Sequence, residues 1–391
     1  MRIGIVGTSW PYRGGLAAFN ERLARQFMEE GHEVEIFTFT LQYPDFLFPG
    51  KTQYSDAPEP DRLHICRTLN SINPFSWFRT AREIRKAGIE LVVMKFWIPL
   101  MSPCLGTVAR LSRRKGIRVV SVLDNVIPHE THFWDRWLIR YFVRSIDRFV
   151  AMSDSVRQDC LRFLPASRTN DVALTLHPLY DNFGEPVGKI QARKELCLPQ
   201  DRTILLFFGF IRDYKGLDLL MRAYAKTITN PQSPITSHQS PITNHPPLLV
   251  VAGEFYNNAQ QYSDLEKELG LKGKIIWHTE FIPDDRVRYY FSAADLIVQP
   301  YKSATQSGVT QIAYHFEKPM LVTDVGGLAE IVPDGRVGYV CKVDESDIAD
   351  ALGRFAAMDP VAREQAFTQN IRTEKQKYAW SGMTRVILNR Q

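Results

Sequence analysis

A chain of 391 residues is too long for one ordinary hydrophobic core, so two domains are expected, each large enough to bury its own. Apolar residues at 45% and charged ones at 23% describe a soluble globular protein, and the five cysteines (Cys66, Cys104, Cys160, Cys197, Cys341) form no CxxC pair, which argues for reduced thiols in a cytosolic chain rather than a disulfide framework or zinc site. The net charge of +5 belongs to the first half: residues 1–180 carry 24 Lys and Arg against 18 Asp and Glu, whereas residues 181–391 carry 24 against 25.

The opening "MRIGIVG" reads as a strand and lacks the charged leader and long apolar run of a signal peptide. It leads into "GTSWPYRGGLAAFNERLARQF" (7–27), where Gly14 and Gly15 stand just before a helical pattern. Paired glycines let a ligand approach the backbone, and a helix N-terminus attracts phosphate; a plain tight turn has the same signature. The GxGxxG and Walker A patterns are both absent. Further strands are expected at "EVEIFTF", "ELVVMKF", "IRVVSVL" and "RFVAMS", with a helix over 74–87. The longest apolar stretch (96–111) is broken by Pro99 and Pro103 and is shorter than the ~20 residues of a spanning helix.

Between residues 75 and 120, ten basic residues accompany only Glu83 and Glu90. Such a patch could meet anionic lipid, an anionic substrate or nucleic acid, or consist of solvated helix faces. The segment "VLDNVIPHE" (122–130) leaves a strand carrying Asp124, His129 and Glu130. In 132–149, Trp134, Trp137 and Phe142 recur at helical spacing, which favours core positions; with the basic excess they would also suit a peripheral membrane contact. His32 and His64 read as structural, and no His/Cys/Asp cluster suggests a metal.

Turn residues in "LHPLYDNFGEPVG" (176–188) mark a seam. A second series of strands follows, "ILLFFGF", "LLVVAG", "KIIWH", "DLIVQP" and "PMLVTD", with helices over 215–228, 284–293 and 308–317. Continuous Val/Ile/Leu strands separated by helices imply parallel sheets covered on both faces, hence two doubly wound domains, 1–180 and 181–376, with ligands at the carboxyl ends of their strands. In "GFIRDYKG" (209–216), Arg212 and Lys215 fall between a strand and a helix start, where cations oppose the helix dipole unless an anion compensates them. Arg offers a planar fork and Lys a point charge to one such anion; a solvated turn is the plainer reading. Ser307 and Gly308 open a third glycine-bearing helix start, and Gly326 and Gly327 a fourth. The duplicated heptads "QSPITSH" and "QSPITNH" (232–245) read as part of a disordered surface insertion over 229–247.

Taken in order, "GGLAAF" (14–19), "GFIRDYKG" (209–216), "VVAGEF" (250–255), "FIP" (281–283), "AADLIVQPY" (293–301) and "KPMLVTDVGGLAEIV" (318–332) resemble the retaining nucleotide-sugar glycosyltransferases of family 4. The resemblance implies a GT-B fold, two Rossmann-like domains facing a central cleft, with the donor bound mainly by the second and the acceptor mainly by the first. It implies metal-independent transfer with retention, no cofactor beyond the nucleoside diphosphate sugar substrate, and a final helix (about 377–391) that crosses back to the first domain. Retaining enzymes of this type are thought to use the departing phosphate oxygen as base.

Arg212 and Lys215 match the family's diphosphate clamp, and Gly15 its first-domain phosphate loop. The donor site expected from the resemblance and the glycine turns comprises Gly14, Gly15, Gly209, Glu254, Gln306, Ser307, Gly308, Val309, Gln311 and Glu330. Where the family has two glutamates eight residues apart, this chain has Ala304 and Ile312; Gln306, Thr310 and Gln311 are the polar neighbours, and Glu330 a further carboxylate. Asp124 stands where the family often has a histidine, with His129 five residues on, and both are site candidates. The expected role is a cytoplasmic glycosyltransferase of bacterial surface polysaccharide assembly, acting on a glycan or lipid-linked acceptor, with the basic first domain suited to the inner face of the membrane. The rival readings are a nucleotide-sugar epimerase or phosphorylase and a non-catalytic nucleotide-sugar-binding subunit. Nucleic-acid binding is disfavoured, because no recognition motif accompanies the cations.

Overall fold

Runs of Val, Ile, Leu and Phe that are apolar on both faces need cover on both sides, and they form the central strands of two parallel sheets. A computed structural model describes residues 1–44, 52–55, 58–128, 132–229, 246–256, 259–304 and 307–389. The chain divides into two units, Met1–Pro178 with Tyr378–Gln391, and Leu179–Lys377.

The first unit holds β1 (Arg2–Val6), β2 (Glu33–Leu41), β3 (His64–Asn70), β4 (Leu91–Phe96), β5 (Arg118–Leu123), β6 (Arg148–Ala151) and β7 (Val172–Leu174), ordered β3-β2-β1-β4-β5-β6-β7. All its strand pairings are parallel. The second unit holds β8 (Ile204–Phe208), β9 (Leu248–Ala252), β10 (Ile275–His278), β11 (Leu296–Gln299), β12 (Met320–Thr323) and β13 (Gly338–Cys341), ordered β10-β9-β8-β11-β12-β13 and likewise parallel. Strand order reverses between β1 and β4 in one sheet and between β8 and β11 in the other. Chains leaving neighbouring strands there turn to opposite faces and open a crevice at the strand ends. These two switch points position the sites described below.

The expected helices form at Gly15–Glu29, Pro74–Lys86, Leu217–Thr229, Asp284–Ala293 and Gly308–His315. The helix at Pro74 starts where expected because proline suits a first helical position and Asn73 Oδ1 accepts the Phe75 N–H at 3.0 Å. The helix expected after Gly326 and Gly327 is a single turn, Leu328–Ile331, too short to develop a strong dipole.

Of the three aromatics placed in the core by spacing, only Phe142 belongs there, stacked on Phe96 with centroids 4.1 Å apart. Trp134 and Trp137 are 44% and 70% exposed. Ile139, Phe142 and Val143 form the buried stripe of helix Asp135–Val143, and Trp137 lies off it. At the far end of the sequence, helix Trp380–Leu388 packs on Gly15–Glu29: Trp380 lies 5.1 Å from Phe19, and Thr384 Oγ1 donates to Glu30 Oε1 at 2.6 Å. The duplicated heptads lie outside the described residues. Among the described residues no helix is long and apolar enough to cross a membrane.

Candidate functional site

At the second unit's switch point the loop after β8 folds onto the loops after β9 and β11. Gly209 has φ 93°, and its Cβ, were one present, would sit 3.0 Å from Lys215 Nζ and 3.9 Å from Val309 Cγ2. Gly253, at φ 136°, lies against the Gly209 carbonyl, where a Cβ would be 2.4 Å from the oxygen. The Ile211 N–H donates to the Glu254 carbonyl at 2.8 Å and the Tyr256 N–H to that of Ile211 at 3.0 Å, so the two loops are zipped backbone to backbone. Gly216, in the left-handed region at φ 67°, ends the 3-10 turn Asp213–Lys215 before the helix resumes; a Cβ there would lie 2.0 Å from the Pro300 carbonyl.

This turn carries both expected cations. Lys215 is 9% exposed, and burial followed by the nearby Arg212 charge depresses its ammonium to about 7. Arg212 stacks on Tyr256 at 3.9 Å, and its Nε is buried without a hydrogen-bond partner. Two cations in this condition describe a site prepared for an anion.

Facing them, helix Gly308–His315 begins one residue after Ser307. Gln299, at the end of β11, fixes that start: its Oε1 accepts from Ser307 Oγ at 2.6 Å and from Thr310 Oγ1 at 3.0 Å. Gly308 is required by Tyr180, whose ring would stand 2.7 Å from a Cβ. Thr310 is thereby committed to the fold. Gln311 is fully buried, with neither amide oxygen nor nitrogen bonded. Ile312, where the resemblance puts the family's second glutamate, is 6% exposed. Beside the clamp opens an apolar cavity of about 140 Å³, lined by Phe208, Gly209, Phe210, Gly253, Phe281 and Ile282, with Glu254 at its side. No sequence pattern indicated this cavity; it arises because "FIP" after β10 meets the glycine turns of β8 and β9.

The second unit thus gathers Gly209, Arg212, Lys215, Glu254, Ser307, Gly308, Val309 and Gln311. Glu330 is exposed on the short turn after β12. Gln306 and His129 lie outside the described residues.

In the first unit Gly14 caps helix Gly15–Glu29 with φ 100°. Asp124 follows β5, and its Oδ1 lies 3.1 Å from Lys95 Nζ on β4. Spacing gave no hint of Lys95, which is embedded in the run "ELVVMKF" and is 3% exposed. Its ammonium sits 3.2 Å from the Phe19 ring centroid. Burial presses both members of the pair toward neutrality, and their mutual attraction opposes this. His177 lies beside Phe19; it is held near a pKa of about 3 by burial and by Lys95, and so stays neutral, its Nδ1–H donating to the Pro178 carbonyl at 2.8 Å.

Against the expectation of no metal-like cluster, register brings Glu35 opposite His64, and Cys66 Sγ donates to Glu35 Oε1 at 3.0 Å with His64 Nδ1 3.5 Å from the same oxygen. Burial and Glu35 push the Cys66 thiol up to about 12, so the sulfur is protonated rather than a ready ligand.

Two family descriptions match the chain: Glycosyltransferase Family 4 over residues 13–170 and Glycosyl transferases group 1 over residues 188–374. The chain belongs to these glycosyltransferases. D-inositol 3-phosphate glycosyltransferase 1 of Catenulispora acidiphila is 25% identical to it over 94% of this chain and 88% of its own length. Sucrose-phosphate synthase of Thermosynechococcus elongatus superposes with a TM-score of 0.73 at 18% identity, covering 100% of this chain and 99% of that one. The HepE protein of Anabaena, solved with UDP-glucose, does so with a TM-score of 0.69 at 13% identity, covering 99% and 98%. At such identities the solved structures establish the fold alone, and this glycosyltransferase is of the GT-B type.

Proposed function

We propose that this glycosyltransferase moves a sugar from a nucleoside diphosphate donor, bound by the second unit, to a glycan or lipid-linked acceptor, bound by the first, with retention and without a metal ion, in bacterial surface polysaccharide assembly. The observation that carries the reading is the anion site itself: a buried Lys215 and a stacked Arg212 opposite the amides of Ser307 and Gly308, beside an apolar cavity suited to a flat base. A diphosphate bridging cavity and clamp would leave its sugar at the start of helix Gly308–His315. The cations then offset the charge that grows on the departing phosphate, which is how such a site lowers the barrier.

An acceptor on a lipid carrier agrees with the exposed Phe75 and Phe78 on helix Pro74–Lys86, which also carries Arg79 and Arg82, and with the exposed Phe133, in the turn before helix Asp135–Val143, and Trp137 on that helix beside Arg136 and Arg140.

The test is a thermal-shift and calorimetric panel of UDP-, GDP- and ADP-hexoses, since a ligand bound only by the native state raises its melting temperature. At least one should stabilise the wild type, with Arg212→Ala and Lys215→Ala each weakening it at least about tenfold, a loss of roughly 1.4 kcal/mol. Wild-type transfer and unchanged donor affinity in either variant would show that the clamp is misassigned.

A further inference from the structure

The first unit's switch point contains a group that the donor reading does not use. Lys95 points from the middle of a parallel sheet to its carboxyl edge, where it is buried, lies over Phe19 and pairs with Asp124. A buried ion pair gains little over apolar packing of the same volume, so its stability alone does not explain it. The two partners are also unequally placed. Lys95 is 3% exposed, whereas Asp124 keeps 22% of its side chain open to solvent, with only one oxygen in the pair. The Asp124 N–H donates to the Phe96 carbonyl at 2.9 Å, which fixes the loop from which the carboxylate projects.

The groups around this pair have partners of their own. His177 is neutral and turned to Pro178. On helix Gly15–Glu29, Glu21 accepts from Ser9 Oγ and the Trp10 N–H, and Arg22 stacks on Trp380 at 5.4 Å. Among the described residues no other carboxylate is recorded in an ion pair with Lys95.

We propose that Lys95 is a positioning residue that holds Asp124 as an oriented carboxylate, so that its outer oxygen accepts a hydrogen bond from a sugar hydroxyl at the carboxyl edge of the first unit's sheet. The inference rests on the transfer reading above but not on the diphosphate clamp. No proton changes hands: Asp124 orients the hydroxyl and Lys95 orients Asp124. The ammonium also opposes the burial that favours the neutral acid, so removing it allows Asp124 to protonate at higher pH.

The experiment compares the wild type, Lys95→Met, Lys95→Arg and Asp124→Asn on the panel donor that the wild type consumes in the presence of free hexose and lipid-linked hexose acceptors, following kcat and donor KM from pH 5 to 9. In Lys95→Met the acidic limb of kcat should move up by at least one pH unit and kcat should fall at least tenfold, with donor KM within about twofold of wild type. Lys95→Arg should return the limb toward its original position. Asp124→Asn should lose activity at every pH. A folded Lys95→Met with an unmoved acidic limb, or Asp124→Asn with wild-type kcat, overturns the proposal. If Lys95→Met fails to fold, the double variant Lys95→Met/Asp124→Leu, which leaves no unpaired buried charge, replaces it: folded and inactive supports the assignment, folded and active overturns it. If the wild type consumes no panel donor with any of these acceptors, the transfer reading falls first and this inference with it; loss of the clamp assignment alone leaves it standing.

Discussion

Lys215 is a cation whose charge the fold has weakened before any ligand arrives. With its ammonium near 7, the empty site is about half protonated at neutral pH, and an anion beside it restores the charged form. The sign follows directly. Below pH 7 the lysine already carries its proton and binding takes up none; above it, binding must draw a proton from solvent, and affinity falls as pH rises. Calorimetry of the bound sugar nucleotide at pH 8 in buffers of different ionisation enthalpy should report uptake approaching one proton, and little at pH 6. Lys215→Met should remove the difference, and equal uptake in that variant would assign the proton to another group.

At the scale of the element, helix Gly308–His315 shows how a short helix becomes a fixed donor of amides. Gln299 reaches from the end of β11 to two hydroxyls, Ser307 and Thr310, and ties the first turn to the sheet. Gln299→Leu leaves both hydroxyls buried without this acceptor, and about 1–3 kcal/mol of stability should be lost in denaturant unfolding, together with donor affinity. Stability lost without affinity would mean that the helix start is not part of the site.

The elements that sequence left unread have a common physical cause. The strands missed, β3, β7 and β13, all lie at sheet edges, where one side is solvated and the continuous apolar run of a central strand is not required. "HICRTLN" is interrupted by polar residues for that reason. Arg212 and Lys215 stood out as a candidate anion site because two cations beside a helix start are an anomaly along the chain. Lys95 was not, since one lysine inside a strand acquires meaning only when β5 brings Asp124 to it. The apolar cavity was hidden for the same reason, its walls coming from three separate loops.

For the molecule as a whole, the uneven charge and the exposed aromatics bear on where the enzyme works. Helix Ser102–Arg113 packs against both Pro74–Lys86, which exposes Phe75 and Phe78, and Asp135–Val143, which exposes Trp137, with Phe133 exposed in the turn before it; exposed arginines accompany them. The membrane contact proposed for this face would be an attraction to anionic bilayers that salt screens. Vesicles containing about a third phosphatidylglycerol should co-sediment the chain at low salt, phosphatidylcholine vesicles should not, and Phe133→Ser/Trp137→Ser should reduce binding several-fold while leaving donor binding intact. Equal sedimentation by both variants and wild type would leave that face without a membrane role.

The meeting of Gly209 and Gly253 bears on how this enzyme can be re-engineered. The floor of the apolar cavity is main chain pressed on main chain, with less than a side chain's width between the loops. A mutation there cannot tune the cavity; it can only force the loops apart. If the cavity takes the base as proposed, a library seeking a different base should leave this backbone contact alone and vary Phe210, Phe281 and Ile282, where side chains supply the shape.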